Sequence, residues 1–129
     1  MTKTALTREQ VLEMEPGEEI DTLVAEKVMC WKRHKPESWE NEYWVDKDGS
    51  LMYEVKKFQP SRNKLDAWKV AESYPICRIE RHEIFVGNVN HEIEMWSGFD
   101  YIDPVKIEDK IMELGISKCA LINSLNFNN

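Results

Sequence analysis

The stretch "ICRIERHEIFVGNVNHEIEMWSGFDYI", residues 76–102, decides the fold class. Its two halves are rich in strand-forming residues, and the central "GNVN", residues 87–90, offers glycine and asparagine for a tight reversal. In the second half Ile93, Met95, Phe99 and Tyr101 recur on one face, with Glu92, Glu94 and Asp100 on the other. A period of two predicts antiparallel strands with one buried and one wet face. Trp96 falls on the polar side beside Glu94, where either a helical layer or a ligand is expected to cover it.

A second hairpin lies upstream. "DKDGS", residues 46–50, separates "YWV" from "LMYEV" and places a turn around Asp48 and Gly49. Helical patterns flank this strand-rich centre. Thr7 with Gln10 forms a capping box ahead of Val11, Leu12 and Met14, and Pro16 and Gly17 end that short helix. "GEEIDTLVAEKVM", residues 17–29, puts Ile20, Leu23, Val24 and Val28 on one helical face, with Glu18, Glu19 and Asp21 at the positive end of the helix dipole. In "FQPSRNKLDAWK", residues 58–69, Ser61 reads as a helix cap and Leu65 with Trp68 as the core face. "DPVKIEDKIMELG", residues 103–115, predicts a helix capped by Asp103, opened by Pro104 and stopped at Gly115. A last helix follows in "SKCALINSL", with Cys119, Leu121, Ile122 and Leu125 inward. No repeat or long linker divides the chain. The expected architecture is α+β: one domain over residues 1–129, with 1–6 a flexible tail. It is an α/β/α sandwich around a central, mainly antiparallel sheet built from two hairpins, with helices at both ends.

Composition narrows the chemistry. At 129 residues the chain can bury a core without staples. Its 17 basic and 24 acidic residues leave a net charge of −7, which disfavours a duplex nucleic-acid partner. Cys30, Cys77 and Cys119 are odd in number and far apart, unlike zinc or redox motifs, and fit a reducing compartment. The opening "MTKTALTREQ" lacks the apolar segment of a signal peptide, and no run approaches the roughly 18 apolar residues of a membrane span. His34, His82 and His91 show no ligand spacing, so neither a metal nor another cofactor is expected. The serine elbow, the glycine-rich phosphate loop and the cysteine-hydrolase motif are all missing. Carboxylate pairs such as Glu80 with Glu83, or Glu92 with Glu94, read as a solvated face. The expectation is a protein that is not an enzyme.

Taken together, "REQVLEMEPGEEIDTLVAEKVMCW", "FQPSRNKLDAWKVAES" and "KCALINSL" resemble the phage ABA sandwich domain, a family of small proteins of phages and prophages of Gram-positive bacteria. Family members more often carry glycine where this chain has Cys30, and an acidic residue with several alanines where it has "RNKLDA". The resemblance implies a sheet sandwiched by helices and a life in the cytoplasm of the infected bacterial host. It implies no molecular function.

Two kinds of binding remain. The first is a non-catalytic, phage-encoded accessory protein that engages a host or phage protein through an aromatic surface, homo-oligomerisation being compatible with it. The second is a small-nucleotide sponge that sequesters a bacterial immune signal. Two basic islands motivate the sponge: "WKRHK" at residues 31–35, and Lys56, Lys57, Arg62 and Lys64. Ser61 as a cap would leave backbone N–H groups for an anion, Arg62 could grip phosphate, and a tryptophan face could stack a base. The candidate ligand-binding residues are therefore Trp31, Trp44, Ser61, Arg62, Lys64 and Trp96, and membrane partners are not expected.

Overall fold

The computed structural model describes residues 6–96 and 104–125, leaving aside the side chains of Leu51, Ile84 and Phe85. The central hairpin forms as its alternation requires. Strand β4 (Ile76–Phe85) turns at Val86 and Gly87, the latter at φ 83°, into β5 (Asn88–Trp96). The reversal is tighter than "GNVN" suggested, because Asn88, Val89 and Asn90 already pair with β4. Ile93 and Met95 are fully buried and Glu92 and Glu94 lie on the opposite face, as expected. Phe99 and Tyr101 lie outside the described residues.

The largest departure concerns residues 103–115. The described part is not one helix but strand β6 (Val105–Asp109), antiparallel to β5, followed by helix α4 (Met112–Leu125). Val105 and Ile107 are buried while Lys106 and Glu108 are exposed. The same apolar residues satisfy a helical period locally; pairing with β5 selects the strand. Ile107 aligns with Ile93 and Ile79, and Val105 with Met95 and Cys77, completing one apolar face. Pro104 needs no ladder bond just before the strand. Gly115 does not stop α4, which runs ten residues past it. A Cβ there would stand 2.5 Å from Ile93 Cδ1, so glycine lets the helix lie close to the sheet.

Helix α4 occupies the middle of the molecule. Every residue from 114 to 122 is buried, the mark of a helix covered on all sides. One side packs on β5 and β6, and the others meet α1 (Arg8–Leu12), α2 (Glu18–Leu23), the π-helical turn that continues it (Val24–Val28), and α3 (Lys64–Glu72). Cys119, Leu121 and Ile122 point inward as predicted, and Leu125 is partly buried. The Thr7–Gln10 capping box opens α1. Leu6, placed in the expected flexible tail, instead packs against the core; residues 1–5 lie outside the described set. Ile20 and Val24 are fully buried, with Leu23 and Val28 packed beside them.

The π-helical turn ends at Cys30, whose φ of 60° is left-handed, and Trp31 N–H closes the end onto the Ala25 carbonyl at 3.0 Å. A second antiparallel sheet follows: β1 (Lys32–His34), β2 (Tyr43–Val45) and β3 (Leu51–Glu54), in that order. Its β2–β3 turn is the predicted one. Asp46 Oδ1 accepts the N–H groups of Asp48 and Ser50, both at 2.9 Å, and Gly49 takes φ 83°. Each predicted hairpin thus acquires a third strand, giving a small α+β domain with two antiparallel sheets and four α-helices among the described residues.

Candidate functional site

A groove of about 1040 Å³ opens where the first sheet meets α2. Glu18, Glu19, Thr22 and Leu23 of α2, with Lys27 of the π-helical turn, form one wall. Their positions repeat at three- and four-residue intervals, so the helix turns them to one side. The opposite wall comes from Glu40, Asn41 and Glu42, which lead into β2, and from Glu54, Val55 and Lys56 at the end of β3. Leu6, Leu23, Val55 and Leu125 supply the apolar lining. Leu6 precedes the first helix and Leu125 ends the last, so distant parts of the chain meet here.

Arg33 bridges the two walls. Its Nη1 donates to Glu42 Oε1 at 3.3 Å and its Nη2 to Thr22 Oγ1 at 3.4 Å, while the guanidinium lies 5.3 Å from the centre of the Trp44 ring. Both bonds are long and the side chain is 41% exposed, so this bridge is weak. Of the two basic islands, only Arg33 and Lys56 reach the groove.

None of the six candidate residues lines it. Trp31 is buried against Tyr53 and Phe58, with ring centres 5.8 and 4.9 Å away; Trp44 is buried beneath Arg33. Both serve the core of the first sheet rather than an aromatic surface. Trp96 is 8% exposed, at the end of β5. Lys64 is exposed at the first position of α3.

Ser61 and Arg62 have structural employment. The cap of α3 is Asn63, whose side chain accepts the Asp66 N–H at 3.1 Å, and not Ser61. Ser61 is fully buried: its Oγ accepts the Gly17 N–H at 3.1 Å and its own N–H donates to Asp21 Oδ1 at 2.8 Å. Arg62 places Nη2 at 2.8 Å and Nε at 3.2 Å from Asp21 Oδ2. The start of α3 further carries Asp66, which accepts the Gln59 N–H at 2.8 Å. A carboxylate and a side-chain cap therefore stand where the sequence suggested open N–H groups.

The face of α3 is also corrected. Leu65 is 79% and Trp68 44% exposed, whereas Ala67, Val70 and Ala71 are buried. With Asn63 as cap the helix begins two residues later than expected, and it meets α4 through its small residues.

On the outer face of the second sheet, Glu92 pairs with Lys106 at 3.0 Å and Glu94 with Arg78 at 3.7 Å. The Lys106 ammonium holds the Glu92 carboxyl below the usual range. His82 lies 3.2 Å from Glu80 and 3.9 Å from Glu92. Among the described residues, no group of three or more His, Cys, Asp or Glu could hold a metal, and no helix is long and apolar enough to cross a membrane.

The groove is not legible in the sequence because each of its residues has a local explanation of its own. Glu18 and Glu19 suit the helix dipole, and Leu23 suits the core. The spacing Glu19, Leu23, Lys27 is the available signal of a lined helix face, but its opposite wall comes from two separate later segments, Glu40 to Glu42 and Glu54 to Lys56. The chain matches no family model, no curated protein and no solved structure.

Proposed function

We propose that the chain is a non-catalytic accessory protein, phage-encoded as its family resemblance implies, that acts by holding a segment of a protein partner in the groove between α2 and the first sheet. One observation carries this reading: a groove of about 1040 Å³ with an apolar lining and charged rims. That lies at the upper end of ordinary small-ligand sites and has room for a row of side chains from a peptide segment. The small-nucleotide alternative is less well supported, because Arg62 and the Ser61 N–H are both engaged by Asp21.

A photo-crosslinking residue placed at Thr22, at Lys56 and, as a control on the second sheet, at Glu108 tests the proposal in bacteria. Crosslinks from 22 and 56 should converge on one segment of one protein, and that segment, synthesised, should bind the purified chain. Scattered products, or yields equal to those from 108, would overturn it. A thermal-shift panel of linear and cyclic nucleotides is expected to leave the melting temperature unchanged.

A further inference from the structure

Resting on that reading, we infer that the groove takes a basic amphipathic segment, with lysine or arginine side chains facing its rims and aliphatic side chains against its lining. Five carboxylates, Glu18, Glu19, Glu40, Glu42 and Glu54, line it against Lys27, Arg33 and Lys56. Glu42 lies 3.3 Å from Arg33, and Glu54 3.4 Å from Lys57. Glu18, Glu19 and Glu40 form no ion pair within the described residues. Lys27 and Lys56 form no ion pair within the described residues either, so three unpaired carboxylates face two ammonium groups, and with about half a charge offset by the positive end of the α2 dipole a small negative excess remains. The net charge of −7 draws a cationic segment from a distance, and the local excess sets where it docks. An acidic segment would meet more carboxylates than ammonium groups along the groove. An apolar, uncharged one would leave the rim carboxylates partly desolvated without partners.

Three fluorescent peptides alternating leucine with lysine, glutamate or glutamine provide the probe, read by anisotropy at low and physiological salt. The lysine peptide should bind, more weakly as salt rises, and the glutamate peptide should not. Replacing Glu18, Glu19 and Glu40 together by glutamine should weaken binding about tenfold. A control of equal charge change, Glu72→Gln, Glu83→Gln and Glu108→Gln, should weaken it less than twofold. Glu40→Gln alone, outside any helix, keeps the test valid if the triple variant loses stability. Equal weakening in both triple variants, or binding of the glutamate peptide, would overturn the inference.

The crosslinking experiment separates the two levels. Convergence on an acidic or uncharged partner segment sinks the basic occupant and leaves the binding role standing. Failure to converge sinks both. A crosslink to residues 1–5 or 126–129 of the same chain, or to a second copy, would likewise replace the proposed occupant.

Discussion

Replacing Arg62 by alanine separates a structural from a ligand-binding role for the residue that the sequence placed in an anion cradle. Asp21 is 4% exposed and accepts three bonds, from Ser61 N–H and from Nε and Nη2 of Arg62. Arg62→Ala removes two of them and leaves a buried carboxylate with one donor. Breaking a wholly buried pair costs about 3–5 kcal/mol, but the Arg62 side chain is 39% exposed, so water takes over part of its role. The expected loss is about 2 kcal/mol, or roughly 6–10 °C in melting temperature for a domain of this size. Chemical denaturation of Arg62→Ala, Asp21→Asn and the double variant measures the coupling, which should exceed about 1 kcal/mol. Arg62→Lys should recover less than half of the loss, since an ammonium cannot reproduce the two-pronged contact. A coupling near zero, or an Arg62→Ala variant within about 0.5 kcal/mol of the parent, would refute this account and return Arg62 to the surface for a ligand.

Cys30→Gly should stabilise the fold by about 0.5–1 kcal/mol, because φ 60° strains any residue with a Cβ; Cys30→Ala, which keeps the Cβ, should not, and thermal melts compare them. Gly115→Ala should cost about 1 kcal/mol net, the clash with the fully buried Ile93 outweighing the gain in helix propensity, and a stabilised variant would contradict the close packing of α4 on the sheet. Native protein should show one fast thiol, the exposed Cys30, towards an aromatic disulfide reagent, with the partly exposed Cys77 slower and the buried Cys119 reacting only on unfolding. Burial pushes the Cys77 thiol from 9.0 to about 11 and raises Cys119 as well. The unfolded chain therefore loses these protons at lower pH than the folded one, so stability is retained below pH 9 and falls as pH rises above it, the Cys77 share being lost by about 11 and the Cys119 share continuing to fall beyond, as denaturant titrations at several pH values should record.

The hairpins were legible because their signals are local. Asp46 and Gly49 make the β2–β3 turn with their own neighbours, and the alternation of Ile93 and Met95 with Glu92 and Glu94 has only one extended solution. The same holds for the Thr7–Gln10 box and the inward face of residues 20–28. Of the candidate site residues, what could be read was which were aromatic or charged, and not what they touch.

The remainder needed contacts between distant parts of the chain. Residues 105–109 fit either a helix or a strand by themselves, and only the Ile79–Ile93–Ile107 register makes them a strand. Gly115 looks like a helix stop until Ile93 is seen to occupy the space beside it. Ser61 and Arg62 look like an anion site until Asp21, forty residues earlier in sequence, satisfies them. The sequence by itself determined the α+β class, the two hairpin turns and the acidic balance, all set by neighbouring residues or by composition. Only the tertiary structure decided the central place of α4, the internal pairing of Arg62 and the groove, because each is made of groups that are close in space and remote along the chain.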